Sequence, residues 1–157
     1  MASSLPGVST LGITFGYGAE TTAGTKPATF TQLTRINSIG GIQIDPETID
    51  ASALEDAVEK TVAGRGSTGG QFTVAVNLTP DTQDEWESLI SSYQALTGGK
   101  QMWFETIVPG FTDAFFVIAQ PPLAIPQPEF GQNELLTVDI NLTIVDYKGL
   151  DTKVAFT

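Results

Sequence analysis

From Leu136 onward the even positions of the chain are apolar (Leu136, Val138, Ile140, Leu142, Ile144) and the odd ones polar (Thr137, Asp139, Asn141, Thr143). Successive side chains of an extended strand point to opposite faces, so this segment predicts a strand with one buried and one wet face. Phe72, Val74, Val76 and Leu78 repeat the pattern against Thr73, Ala75 and Asn77, and Leu11, Ile13, Phe15 and Tyr17 set theirs against small residues. Shorter strands are expected over 36–45, broken at Gly40-Gly41, and over 101–108 and 113–120, with Pro109-Gly110 turning the last two into a hairpin. The fold is expected to be mainly β.

One segment changes period. Thr79 is a helix N-cap, Pro80 suits the first turn, and Asp81, Asp84 and Glu85 sit where the helix dipole favours anions. Trp86, Leu89, Ile90, Tyr93 and Leu96 then form one apolar stripe, which predicts a helix packed on a sheet and ended by Gly98-Gly99. The stretch 46–70 fits neither period. Ser52 and Glu55 make a candidate capping box for a short helical turn carrying Leu54 and Val58, and Gly64, Gly66, Gly69 and Gly70 loosen the backbone after it. A long functional loop is the expectation there. Pro121, Pro122, Pro126 and Pro128 predict a second irregular connection, and the tail 147–157, with Val154 and Phe156, is expected to add a strand to its own sheet or to a neighbour's.

Composition narrows the chemistry. The chain has 157 residues, no His and no Cys, which excludes a Ser-His-Asp triad, a cysteine nucleophile, a His/Cys zinc site and any disulfide. The 41% apolar content supports one cored domain over 1–157, whereas the 16% charged content is low for a soluble surface. With 7 basic against 18 acidic residues, the net charge of −11 opposes attraction to nucleic acid, which depends on Lys and Arg displacing counterions. It is compatible with letting DNA pass without sticking. The N-terminus lacks a basic start and a continuous apolar stretch, so neither a secretory signal nor membrane binding is expected.

Short motifs add little. Gly64-Arg65-Gly66-Ser67-Thr68-Gly69 matches a dinucleotide fingerprint in letters only, because a strand follows it where a helix is required. Gly99-Lys100 lacks the rest of a phosphate loop, and the sequons at Asn77 and Asn141 fall in strands. The carboxylates Asp45, Glu47 and Asp50, or Asp81, Asp84 and Glu85, lack calcium-loop spacing, and read as solvated charge. No catalytic, cofactor or metal residue is assigned, and no enzyme is expected.

The order of elements resembles the major tail tube proteins of long-tailed bacteriophages, particularly the non-contractile siphophage type. The resemblance runs through Phe30–Gly40, Ile49–Asp56, Gly64–Gly70, Phe72–Asn77, the helix, the hairpin and Leu136–Ile144, nearly the whole chain. Ala51 and Glu55 stand where that family often has Thr and Asp, and there is no room for the immunoglobulin-like domain some relatives carry. The resemblance implies an antiparallel β-sandwich or small barrel flanked by one helix. It further implies hexameric rings stacked into a tube, as part of a virion assembled in the bacterial host cytoplasm. The implied partners are copies of itself, terminator, tip and tape-measure proteins, and double-stranded DNA as transit cargo during genome ejection. Four strands from each subunit of such a ring, at ~4.8 Å spacing and tilted, would close a barrel with a backbone diameter on the order of 40 Å.

Taking the strands from the family and the face from the alternation, the lumen-facing residues are Gln43, Asp45, Asn77, Asp139 and Asn141. The 46–70 segment corresponds to the loop that reaches a neighbouring ring, with Ile49, Leu54 and Val58 as apolar contacts and Gly64 and Gly66 as hinge. The tail 147–157 corresponds to a C-terminal arm. Three other readings compete: a carbohydrate- or surface-binding β-module, with Trp103 and Phe104 or Phe111 and Phe115 as an aromatic platform; a hydrolase using two of the carboxylates above; and a secretion-tube component resembling the type VI haemolysin-coregulated proteins.

Overall fold

A computed structural model of the chain describes residues 9–55, 57–67 and 70–157. The expectation for the extreme N-terminus, and the Thr68 and Gly69 part of the glycine-rich stretch, lie outside the described residues.

Among the described residues, nine strands and one helix follow in the order β1 (Thr14–Ala19), β2 (Thr31–Leu33), β3 (Ile36–Ile39), β4 (Asp45–Asp50), β5 (Thr61–Ser67), β6 (Gln71–Asn77), α1 (Pro80–Gln94), β7 (Met102–Ile107), β8 (Asp113–Gln120) and β9 (Thr137–Thr152). Seven of the strands form an antiparallel sheet ordered β2-β1-β7-β8-β9-β6-β3, and β4 with β5 forms a separate two-stranded ribbon. The ends of the seven-stranded order, β2 and β3, are joined by Thr34 and Arg35 alone. Two residues reach about 10 Å, so the sheet must curl until its edges meet. The mainly β, barrel-like architecture with one flanking helix is therefore as expected.

β9 makes the corner. Residues 137–143 pair with β6 and residues 143–152 with β8, with Thr143 in both registers. Register shifts at Phe116/Val117 and Ile118/Ala119, and Gly149 at φ 72°, bend it as it crosses from one layer to the other. The strand therefore runs eight residues beyond Ile144, and the first part of the supposed C-terminal arm, 147–152, is sheet. The alternation fails at Val145 and Asp146 because the partner and the buried face both change there.

The main core collects the apolar faces of both layers: Phe15, Leu33, Phe72, Val74, Val76, Met102, Phe104, Val117, Val138, Ile140 and Leu142, closed by Trp86, Leu89 and Ile90 of α1. Thr79 caps the helix as expected, but its partner in the capping box is Thr82: each threonine hydroxyl bonds the other's backbone N–H. Thr82 is fully buried, and its hydroxyl also donates to Asn77 O at 2.8 Å, tying the helix start to the end of β6. Thr82→Val should cost about 1–2 kcal/mol, because it removes half of the box and strands buried backbone groups; urea denaturation measures it. The helix ends at Ala95, in right-handed geometry, not at Gly98-Gly99, which form a turn further on at φ 68° and 78°. Glu85 accepts from Thr34 N (3.0 Å) and Thr34 Oγ1 (2.7 Å), so α1 also holds the link between β2 and β3.

A second, smaller core lies on the other face of β1, β7 and β8. It contains Phe30, Trp103, Ala114, Phe116 and Ile118, with Ile107, Val154 and Phe156 against it. β7 and β8 are thus buried on both faces, which explains their nearly continuous apolar sequence. Glu105 of β7 is fully buried here, and burial raises its pKa above the usual carboxylate range despite the Val154 N–H, Lys26 and Lys153 acting the other way. A raised folded pKa contributes stability below the unfolded value of about 4.3, which is lost as pH rises through the folded value. Glu105→Gln keeps an acceptor for Val154 and removes the charge. The variant's gain in melting temperature over the parent should therefore be larger at pH 8 than at pH 5.

Candidate functional site

The segment expected as an irregular loop is a β-hairpin. β4 and β5 pair in the registers Asp45↔Ser67, Pro46↔Gly66, Thr48↔Ala63, Ile49↔Val62 and Asp50↔Thr61, with a bulge after Pro46. From Gln43 to Ser67 every described residue except Gly64 is exposed. The ribbon is the distal continuation of the β3–β6 pair, with the chain bending at Gly40–Ile44 on one side and at Gly70 (φ 88°) on the other. Its strands lean mainly on each other.

Ser52 does not start a helix. Its N–H donates to Asp50 Oδ1 at 2.9 Å, and its hydroxyl accepts from Lys60 N at 2.7 Å, closing the far end of the ribbon together with Ala51 N→Lys60 O at 2.8 Å. The Ser52 hydrogen bonds hold the Asp50 carboxyl below its ordinary pKa. A helical turn built on Leu54 and Val58 would have had no surface to pack against, whereas the cross-strand bonds need none.

One side of the ribbon is apolar. Ile49 lies across from Val62, its side chain beside Gly64, and Ile44 lies over Gly66, where an added Cβ would come within 2.6 Å of Ile44 Cγ2. Gly64 and Gly66 are therefore strand residues that make room for isoleucines; they are not the hinge expected of them. Leu54 and Val58, beyond the paired strands, are 106% and 74% exposed. A two-stranded ribbon with both edges open is marginally stable in water and a ready template for another chain.

The second surface is the wet side of β3, β6 and β9. It carries Gln71, Thr73, Ala75 and Asn77 opposite Thr143, Asn141, Asp139 and Thr137. Cross-strand hydrogen bonds link Thr73 Oγ1 to Asn141 Oδ1 (2.6 Å), Gln71 Nε2 to Thr143 Oγ1 (3.5 Å) and Asn37 Nδ2 to Asn77 Oδ1 (2.6 Å). The side chains thus form a flat, self-satisfied polar ladder whose charge is Asp139. Of the five residues expected to share a face, Asn77, Asp139 and Asn141 do so. Gln43 and Asp45 sit at the base of the ribbon, bonded to each other at 2.7 Å, and belong to no strand of the main sheet. The ladder partners Thr73, Gln71 and Asn37 were missed, although the odd-numbered positions of β6 carried the signal.

Trp103 and Phe104 are buried on opposite faces of β7. Phe115 lines a cavity of about 640 Å³ with Phe15, Ile36, Ile39, Phe72 and Tyr147, while Phe111 is partly exposed. These rings form no platform. Among the described residues no group of three or more His, Cys, Asp or Glu could hold a metal ion, and no helix is long and apolar enough to cross a membrane.

No family model matches the sequence, and no curated protein matches it. The fold, however, is similar to solved structures. A chain in the cryo-EM structure of the anti-feeding prophage baseplate aligns with a TM-score of 0.56 at 11% identity, covering 96% of this chain and 98% of its own. A chain in the sheath/tube terminator structure of an extracellular contractile injection system, in its extended state, aligns with a TM-score of 0.52 at 16% identity, covering 88% and 93%. One comes from a prophage baseplate and the other from the sheath/tube terminator of a contractile injection system, and neither is a siphophage tail tube, so the likeness supports the fold and not that specific type.

Proposed function

We propose that this chain is a structural, non-catalytic component of a phage-tail-like assembly, whose copies form hexameric rings that stack into a tube. The observation that carries the reading is the β4–β5 ribbon: a paired, apolar-faced element exposed on both sides and both edges, which only an assembly would cover. Stacking is head-to-tail, so the ribbon of one ring meets a different surface of the next through Ile49, Leu54 and Val58. The ladder of β3, β6 and β9 faces the lumen, where Asn77, Asp139 and Asn141 present no cation to a passing DNA duplex. Terminator, tip and tape-measure proteins are the further partners, and the virion, put together in the host cytoplasm, is the location.

A second reading rests on the baseplate and terminator neighbours: a single ring placed at one end of a tube made by another protein. Negative-stain microscopy of the purified chain separates the two. Tubes of stacked rings are the expected result; isolated rings favour the second reading, and monomers at all concentrations count against both.

A further inference from the structure

The 121–136 connection, irregular as expected, is held at both ends yet leaves its large apolar side chains outside. Leu123 O accepts from Gln94 Nε2 of α1 at 3.5 Å, Ile125 packs against the main core, and Leu136 O accepts from Leu78 N at 2.9 Å. Phe130 and Leu135 flank a turn in which Asn133 lies at φ 59° and the Glu134 carboxylate fills the space beside Gly131. Pro121, Pro122, Pro126 and Pro128 fix φ along it, so the surface is ordered before anything binds. Leu123 and Leu135 are nevertheless 84% and 73% exposed, and Phe130 and Leu136 are exposed with them.

β9 fixes where this surface lies. β8 pairs antiparallel with the half of β9 from Thr143 to Thr152 and ends at Gln120, opposite Thr143, so the chain leaves it heading for the Thr137 end. The connection returns to the sheet there, at Leu136. β6 starts at Gln71, also opposite Thr143, and runs to Asn77 opposite Thr137, so the ribbon before it joins from the Thr152 side. The two elements thus leave the sheet in opposite senses along β9. Between them they hold nine of the thirteen large apolar side chains exposed among the described residues. Four are on the connection and five (Ile44, Ile49, Leu54, Val58 and Val62) on the ribbon and its base.

We infer that the 121–136 connection is the acceptor for the ribbon of a copy in the next ring, with Leu54 and Val58 seated against Phe130, Leu135 and Leu136. The inference rests on the tube reading and adds the surface which that reading leaves unassigned. Head-to-tail stacking needs two different surfaces facing opposite ways along one axis, and these two apolar elements do so. The other exposed apolar side chains, Leu11, Phe111, Val145 and Leu150, lie singly along the chain, as on any soluble surface. The occupant is a ribbon and not a second acceptor. Glu129 and Glu134 are the only charges of the connection and would repel their own copy, whereas the ribbon, though net acidic, brings Lys60 and Arg65 with its apolar side chains. Each proline also removes a donor and keeps its carbonyl, so the connection offers acceptors to the open N–H groups of the ribbon's edges.

Phe130→Asp with Leu135→Asp is the first test. Both positions are exposed, so the variant should melt as the parent does, while the concentration needed for tubes rises on the order of a hundredfold. Tubes at the parent's concentration overturn the acceptor and leave the tube reading standing. A parent chain that forms no tubes overturns the tube reading, and the acceptor with it. Contact is read separately, and the absence of native cysteine makes that measurement direct. Leu54→Cys chains and Leu135→Cys chains are assembled together and treated with a short bismaleimide. Cross-linked dimers should exceed those from either chain alone by about tenfold, because docking holds the two thiols at high effective concentration. No excess, in tubes that form normally, places the ribbon against another surface and overturns the inference. The cross-link also decides the matter should the aspartates disturb folding, since neither cysteine replaces a buried side chain.

Discussion

Replacing the ribbon, residues 45–67, by a short glycine turn should leave a folded subunit that no longer polymerises. The core that sets stability is elsewhere: Trp86, Phe104, Phe116 and Ile140 are closed off without any ribbon residue. The melting temperature should therefore move by no more than about 2 °C, at the lower edge of the roughly 2–4 °C that a 1 kcal/mol loss produces in a domain of this size. Assembly should be lost outright. A milder pair, Leu54→Asp with Val58→Asp, keeps the hairpin and its Ser52–Lys60 clamp. Burial of each apolar side chain contributes about 1.5–3 kcal/mol, so losing both should raise the critical concentration more than a hundredfold. Sedimentation and microscopy read the polymer; circular dichroism reads the fold. Full-length tubes from the deletion would overturn the assignment of this element to the contact between rings.

The elements legible in the sequence are those whose own residues carry the whole signal. β6 and the first half of β9 alternate cleanly because one face is core and the other water along their full pairing. α1 carries its cap and stripe locally, and Pro109-Gly110 marks the β7–β8 turn. What stayed hidden depends on partners far away in the chain. The ribbon shows no alternation over Asp45–Asp50 because neither face meets a core, and its pairing depends on Thr61–Ser67. The strand expected of the tail is the second half of β9, and its continuity with the first half was not legible because the strand changes layer at Thr143. The second core could be suspected from the apolar runs of β7 and β8, but nothing in the composition says that the tail covers it. The same limit divides the candidate site: alternation found the wet face of Asn77, Asp139 and Asn141, whereas only register shows that Thr73 and Asn141 are bonded across it, or that Gln43 and Asp45 lie outside it.

On the proposed lumen placement of the polar ladder, Asp139→Lys combined with Asn141→Lys should make a tube of this chain retain DNA that the parent would let pass. Both positions are exposed on the wet face of β9, opposite Ala75 and Thr73, so the lysines can project from the sheet without entering the core. Ring symmetry multiplies the change: each subunit would place two cations on the lumen, and the pattern recurs at every ring along the tube. DNA gains affinity by releasing counterions wherever Lys neutralises a phosphate, and a handful of such contacts already amounts to several powers of ten at low salt. The expected result is normal tubes with at least a tenfold slower exit of DNA, recovering as salt is raised because the contacts are screened within about 10 Å at 0.1 M. Thr73 would lose its partner at Asn141. Asn141→Ala therefore serves as the control for that hydrogen bond, and Asp139→Asn as the control for removing the negative charge alone. Both controls should leave exit within about twofold of the parent, since neither adds a partner for phosphate. Unchanged exit in the double-lysine variant, with tubes intact, would move this face to the exterior of the assembly and leave the polar ladder as a purely structural pairing.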